Sequence, residues 1–163
     1  MITVLIVDDE PLIRRGLESM IAWEQAGFRL AGQASNGEEG LEKIRERKPD
    51  VVFTDIKMPK MDGISMIREA LKEVNPPVFV ILSGYNDFEM VRAALRLGAV
   101  DYLMKLNLEE EELNRVLKEV SRRVKERRRE GKGAREDDFK ENFIQEMLQL
   151  QTDREFSRQV QSK

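Results

Sequence analysis

Three stretches of the chain, VLIV at 4–7, VVF at 51–53 and VFVIL at 78–82, are apolar on consecutive residues instead of alternate ones. Successive side chains of a strand point to opposite faces, so an unbroken apolar run is buried on both. A sheet with one wet face is excluded, and a sheet covered by helices on both sides is required. The rest of the chain supplies them. Five short apolar runs, at 3–7, 28–34, 51–54, 78–82 and 100–104, are separated by segments of helical periodicity. Strict alternation of strand and helix predicts an α/β fold, a doubly wound parallel sheet joined by right-handed crossovers.

The first helix is expected over 11–23, with Leu12, Ile13, Gly16, Leu17, Met20 and Ile21 on one stripe. The second is expected over 37–47, with Ser35 or Asn36 as N-cap ahead of Glu38 and Glu39. A third over 64–74 stops at Asn75-Pro76-Pro77, and a fourth over 87–97 closes on Gly98, where a left-handed residue is wanted. A fifth is expected over 108–129, capped by Asn107 with Glu110 completing a capping box. Acids in its first turn and arginines in its last suit its dipole. At 1.5 Å per residue that helix runs ~33 Å against ~17–20 Å for a typical strand, so it is expected to project beyond the domain. Leu113, Val116 and Leu117 would dock it, and Val120 and Val124 would continue into the projecting part as a thin coiled-coil seam. Beyond Gly131-Lys132-Gly133, Phe139, Phe143, Ile144, Met147, Leu148 and Leu150 mark one amphipathic helix, followed by a polar stretch with no core of its own.

With 163 residues and 40% hydrophobic content the chain suffices for one domain and an appendage. Lys+Arg 28 against Asp+Glu 31 leaves a net charge of -3, which gives no global pull toward nucleic acid or an anionic membrane. No cysteine and no histidine occur. Thiolate nucleophiles, zinc-thiolate sites, imidazole ligands and Ser-His-Asp triads are thereby excluded, and most hydrolase chemistry with them. Neither a signal-peptide pattern nor an apolar stretch of membrane-spanning length is present, so a cytoplasmic location is expected.

In an open doubly wound sheet, function gathers outside the carboxyl ends of the strands. There strand 1 delivers Asp8 and Asp9, strand 3 Asp55, strand 4 Ser83 and strand 5 Lys105. In the order 2-1-3-4-5 those four strand ends are contiguous. Three converging carboxylates repel one another unless a cation offsets them, and oxygen-only ligands indicate a hard ion, Mg²⁺ better than Ca²⁺. A hydroxyl and an ammonium beside that metal complete the contacts of a transferring phosphoryl group. Asp55 is then the expected nucleophile, since an ionised carboxylate attacks phosphorus without a general base. Taken singly each residue has a plainer reading: Asp9 as cap of helix 1, Ser83-Gly84 as a turn, Lys105 as a surface lysine, Asp55 as a loop acid. Their coincidence at four strand ends favours the joint one.

At this point the chain resembles a response-regulator receiver domain of two-component signalling. The residues that carry the likeness are VDDE (7–10), DIKMPKMDG (55–63), LSGYNDF (82–88) and DYLMK (101–105), over about residues 2 to 125. The resemblance implies a flavodoxin-like fold, Asp55 as phosphoacceptor, and Mg²⁺ bound by Asp9, Asp55 and the carbonyl of Lys57, with Asp8 acting through metal-bound water. It implies that Ser83 and Lys105 contact the phosphoryl group, and that a switch links Ser83 to the rotamer of Tyr102 and so to the surface of helix 4, strand 5 and helix 5. The implied partners are a sensor histidine kinase and an effector. WEQAGF (23–28) and SGYNDFE (83–89) resemble regulators whose effector is an AraC-type helix-turn-helix domain. Residues 1–125 would be the receiver and 126–163 a helical linker to an effector outside this sequence. A homodimer through helix 4, strand 5 and helix 5, or through the projecting helix, is a further expectation.

One position departs from the family pattern. Lys105 is followed by Leu106 where a proline with a cis bond is usual. A cis bond before a non-proline costs ~2.5–4 kcal/mol, so a trans Lys105-Leu106 bond and a reshaped loop are expected. Lys57 and Tyr85 stand where they would crowd the water that hydrolyses the acyl phosphate, which predicts a long-lived phosphoform. The rival enzymatic reading is a Mg²⁺-dependent phosphatase of the haloacid dehalogenase type. It wants a general acid two residues beyond the nucleophile, where this chain has Lys57. Direct nucleic-acid binding by Arg122, Arg123 and Arg127–Arg129 is not expected, because Glu126, Glu130 and Glu136 are interspersed and aromatic residues are absent.

Overall fold

The computed structural model describes residues 1–84, 87–130, 144, 147–151 and 154. Tyr85, the glycines at 131 and 133, Phe139 and Phe143 lie outside the described residues. The elements run β1 (Ile2–Val7), α1 (Pro11–Met20), β2 (Phe28–Ala34), α2 (Gly37–Arg47), β3 (Val51–Asp55), α3 (Gly63–Ala70), β4 (Val78–Ser83), α4 (Phe88–Arg96), β5 (Asp101–Met104), a 3-10 turn (Lys105–Asn107) and α5 (Glu110–Glu130). All strand pairings are parallel, in the order β2-β1-β3-β4-β5. This is the flavodoxin-like α/β arrangement.

The unbroken apolar runs split between two cores, as their pattern requires. Leu5, Val7, Val52, Phe79 and Ile81 face α2, α3 and α4. Ile2, Val4, Ile6, Val51, Phe53, Val78, Val80 and Leu82 face α1 and α5, where Trp23 packs edge-on against Phe28 and Phe53. Asn36 accepts the Glu39 N–H as the N-cap of α2, while Glu39 reaches back to the N–H and hydroxyl of Ser35. Gly98 has φ +112, the conformation expected after α4.

Expectations for three helices need correction, beginning with length: α1 ends at Met20 and α3 at Ala70, short of 23 and 74. Leu12 does not join the apolar stripe of α1: it is 78% exposed, and Leu17 is the buried residue of that helix. The plainer alternative for Asp9, a cap of α1, is not realised either: the N-cap is Glu10, with no side-chain cap bond. Asn107 lies in the 3-10 turn and not at the cap of α5; the first helical bond there runs from the Leu113 N–H to the Glu109 carbonyl. Last, α5 is long, 21 residues, but it does not project. Val120 and Val124 belong to the same core as Leu113, Val116 and Leu117, and Val124 is only 4% exposed. Arg127 donates to the Pro76 carbonyl and Arg128 to the Asp50 carboxylate, so the last turns are seated on the loops before β3 and β4. Of the second region, Leu150 is buried in the core on the α2–α4 side and Met147 packs against it.

Candidate functional site

The strand order does the positioning. β1, β3, β4 and β5 are neighbours, so their carboxyl ends bring Asp8, Asp55, Ser83 and Lys105 to one edge of the sheet. The turn after β1 is pinned there by the Asp8 N–H to the Ala34 carbonyl at 3.0 Å, by the guanidinium of Arg14 on the Asp8 carbonyl, and by the Glu10 N–H on Asp8 Oδ1 at 2.9 Å. Asp8 and Asp55 are thereby buried, while Asp9 and Glu10 form an exposed rim. One carboxylate oxygen from each of Asp8, Asp9, Glu10 and Asp55 lies within 4.8 Å of the others.

Lys105 is the fixed cation among them. Its Nζ is 2.7 Å from Asp55 Oδ2, 2.9 Å from Asp8 Oδ2 and 3.1 Å from Glu10 Oε1. The other Asp55 oxygen accepts the Ile56 N–H at 2.7 Å. Among the described residues there is no cis peptide bond: the Lys105-Leu106 link is trans, as expected without proline, and lies within the 3-10 turn.

The electrostatics follow from burial. Desolvation pushes Asp8 up to about 6, helped by the nearby Asp55 charge, although Lys105 and the Glu10 N–H oppose it. Desolvation likewise raises Asp55, against Lys105 and the Ile56 N–H, with Asp9 adding repulsion. Burial pulls Lys105 down, but Asp55 and Asp8 outweigh it and hold the ammonium well above its ordinary range. Lys105 is therefore a cation, and it compensates the acids only in part. Asp8 Oδ2 shows the deficit: it is buried and at ion-pair distance from Lys105, yet receives no aligned hydrogen bond. An all-oxygen cluster with a buried, incompletely satisfied carboxylate fits a hard divalent cation.

The remaining predicted residues stand close by in other engagements. Ser83 is buried, and its hydroxyl donates to Met104 Sδ at 3.2 Å. Tyr102, 42% exposed, lies two residues before Met104 on β5 and so on the same face of that strand. The Lys57 ammonium reaches across to Asp87 Oδ1 at 3.1 Å, and Asp87 Oδ2 accepts the Gly84 N–H at 2.8 Å. Desolvation would raise Asp87, but Gly84, Lys57 and Lys105 bring it below the usual carboxylate range.

Three participants were not legible as such beforehand. Glu10, marked in the sequence only as the last residue of VDDE, joins both the acid cluster and Lys105. Gly63 sits so close to β3 that a Cβ there would overlap the Asp55 carbonyl oxygen, and its N–H bonds the Ile56 carbonyl at 2.7 Å. The Asp62-Gly63 pair was the available signal: Asp62 caps α3 on the Ser65 N–H, and only a glycine passes beside the strand end. Asp87 read as the start of α4, and its pairing with Lys57 lies 30 positions away in sequence, beyond local pattern.

Comparison with known proteins gives one consistent result. The profile of the response regulator receiver domain matches residues 4–118. The chain is 42% identical over 106 residues to the transcriptional regulatory protein YesN of Bacillus subtilis, covering 64% of this chain and 28% of that protein. It is 39% identical over 106 residues to the transcriptional regulatory protein HptR of Staphylococcus aureus, covering 64% of this chain and 41% of that one. It therefore spans less than half the length of these curated relatives. Among solved structures, the receiver domain of AraT, a response regulator from Geobacillus stearothermophilus, superposes with a TM-score of 0.72 at 32% identity, over 77% of this chain and 97% of that one. A two-component transcriptional regulator AraC from Clostridium phytofermentans gives 0.71 at 33% identity, over 78% and 98%.

Proposed function

The chain belongs to the response regulator receiver domain family, and from that premise we propose that Asp55 accepts a phosphoryl group from a sensor histidine kinase and that the change is passed to an effector. It is a two-component signalling protein; the haloacid dehalogenase alternative draws no support, since its general-acid position holds Lys57, whose ammonium is paired with Asp87. The observation that carries the reading is the buried Asp55 carboxylate held by Lys105 inside a cluster of four acids. In the transfer, an Asp55 oxygen bonds to phosphorus as the bond from phosphorus to the kinase imidazole nitrogen breaks. The electron pair leaves with that nitrogen, which then takes up a proton.

Asp9, Asp55 and the Lys57 carbonyl would hold Mg²⁺, with Asp8 as outer partner and Glu10 at the rim. When bound, the ion supplies charge neutralisation for the approaching phosphoryl oxygens. Lys105 orients Asp55 beforehand and neutralises one phosphoryl oxygen afterwards. Ser83 would leave the Met104 sulfur to donate to another. That departure frees the Met104 side chain, which shares a strand face with Tyr102, and gives the Ser83-to-Tyr102 switch a contiguous path.

We further propose residues 1–125 as the receiver and 126–163 as a helical passage, spanned at its start by α5, to an AraC-type DNA-binding effector. Support for the effector comes from the likeness to the transcriptional regulatory protein YesN and to the two-component transcriptional regulator AraC. A homodimer through α4, β5 and α5 draws support from exposed Leu95, Tyr102 and Met104 on that side. Among the described residues no helix is long and apolar enough to cross a membrane, which accords with the cytoplasmic setting proposed here. The test is incubation with acetyl phosphate and Mg²⁺ followed by intact mass. One phosphoryl addition on the wild type and none on Asp55→Asn is expected; no addition on the wild type, or the same addition on the variant, overturns the reading.

A further inference from the structure

Asp87 is placed as the N-cap of α4 but does not act as one. Its backbone is at φ -96 and ψ 20, and its side chain makes no cap bond to the helix that follows. One carboxylate oxygen is spent on the Gly84 N–H, one residue beyond Ser83, and the other on the Lys57 ammonium, two residues beyond Asp55. Two loops that flank the nucleophile are thus tied together by one ion pair.

The partners are unequal. Lys57 is largely exposed, its side chain 70% accessible, whereas the Asp87 side chain is nearly buried. An exposed lysine gains little from an ion pair, and exchanging its partner costs little. A buried carboxylate needs a partner, and the first turn of α4 offers one in its N–H groups, to which the Asp87 side chain makes no cap bond here. Lys105 is among the charges that Asp87 senses, and the Lys105 ammonium lies on Asp55 Oδ2. Through Lys57, two residues beyond Asp55, and Gly84, one beyond Ser83, the Lys57–Asp87 pair bridges the two strand ends at which a phosphoryl group would sit.

We propose that Asp87 is a positioning residue that holds the Lys57 ammonium beside the site, and that a phosphoryl group on Asp55 takes Lys57 from it, freeing Asp87 to cap α4. This rests on Asp55 as phosphoacceptor. A phosphoryl group carries about two negative charges against one on Asp87, so it outcompetes the carboxylate for the ammonium. The exchange couples phosphate at the end of β3 to the first turn of α4 by a path that passes through neither Ser83 nor Tyr102. Two arrangements of similar energy, biased by one charge, are what such a switch needs.

The test is a double-mutant cycle on the affinity for beryllium trifluoride, a phosphoryl mimic, measured by calorimetry in saturating Mg²⁺ on the full chain. Asp87→Asn keeps an acceptor for Gly84 and a capping side chain but loses its claim on Lys57, so it binds the mimic about three- to fivefold more tightly. Lys57→Gln binds it more weakly, and Lys57→Arg restores part of the loss. Asp87→Asn in the Lys57→Gln background has no further effect. Asp87→Ser, also a good N-cap, serves as the second variant should Asp87→Asn fold poorly. Wild-type affinity in Asp87→Asn, or an equal gain with and without Lys57, overturns the exchange while leaving Asp55 as acceptor. A wild type that does not bind the mimic overturns both.

Discussion

Asp8→Asn should make the metal-free protein more stable, because the native carboxylate is held charged where it is desolvated. Asp8 is fully buried, its Oδ2 has no aligned donor, and its pKa is pushed from 3.8 up to about 6. The sign follows from linkage. A folded-state pKa above the unfolded value means that the folded state binds the proton more tightly, so stability contributed by this group is present below about pH 4 and is lost as pH rises toward 6. Two pH units at 1.36 kcal/mol each put the cost of the ionised form at about 3 kcal/mol. Asparagine removes that charge but also one partner of Lys105, so a net gain of about 1–3 kcal/mol at pH 7 is expected. Urea unfolding in EDTA, from pH 4 to 8, measures it: the variant's advantage should be small at pH 4, grow to pH 6 and then level off. Added Mg²⁺ should shrink or reverse it, since the ion stabilises the wild type through the same carboxylates. An asparagine variant less stable than wild type at pH 7 in EDTA, or an advantage indifferent to pH, would refute the reasoning.

Val124→Ala tests the seat of α5. Removing two buried methyl groups costs about 2 kcal/mol in chemical denaturation if the helix is docked there, and close to nothing if it projects. Gly63→Ala should force the β3 end and the start of α3 apart, with a loss of stability on the order of 2–4 kcal/mol and slower acetyl phosphate labelling. Unchanged thermal unfolding and unchanged labelling would show that the Asp55 carbonyl is not so tightly approached.

The sheet was legible because its signal is redundant. Three unalternating apolar runs demand cover on both faces, and strand order then places Asp8, Asp9, Asp55, Ser83 and Lys105 without further information. Asn36 as a cap and Gly98 as a left-handed residue were legible for local reasons. Single elements taken alone mislead. The length of α5 exceeds that of one strand, but its last turns find their seat on Asp50 and Pro76, in the loops before β3 and β4. The spacing of Leu12 fits the stripe, but the helix begins at the rim of the acid cluster, where that position faces outward. In sequence Lys57 is only a neighbour of the attacking water and Asp87 only a helix start. Their pairing depends on how two loops from different strands approach each other, which no local pattern encodes.

Reduction of the phosphorylated chain with borohydride asks most directly whether one acid alone is the nucleophile. An aspartyl phosphate is converted to homoserine, which fragment mass spectrometry locates. After acetyl phosphate and Mg²⁺, homoserine is expected at position 55 and nowhere else, with the label falling sharply in Lys105→Met. Homoserine at position 8 or 9, or labelling of Asp55 indifferent to the loss of the Lys105 ammonium, would contradict the division of roles drawn from this cluster.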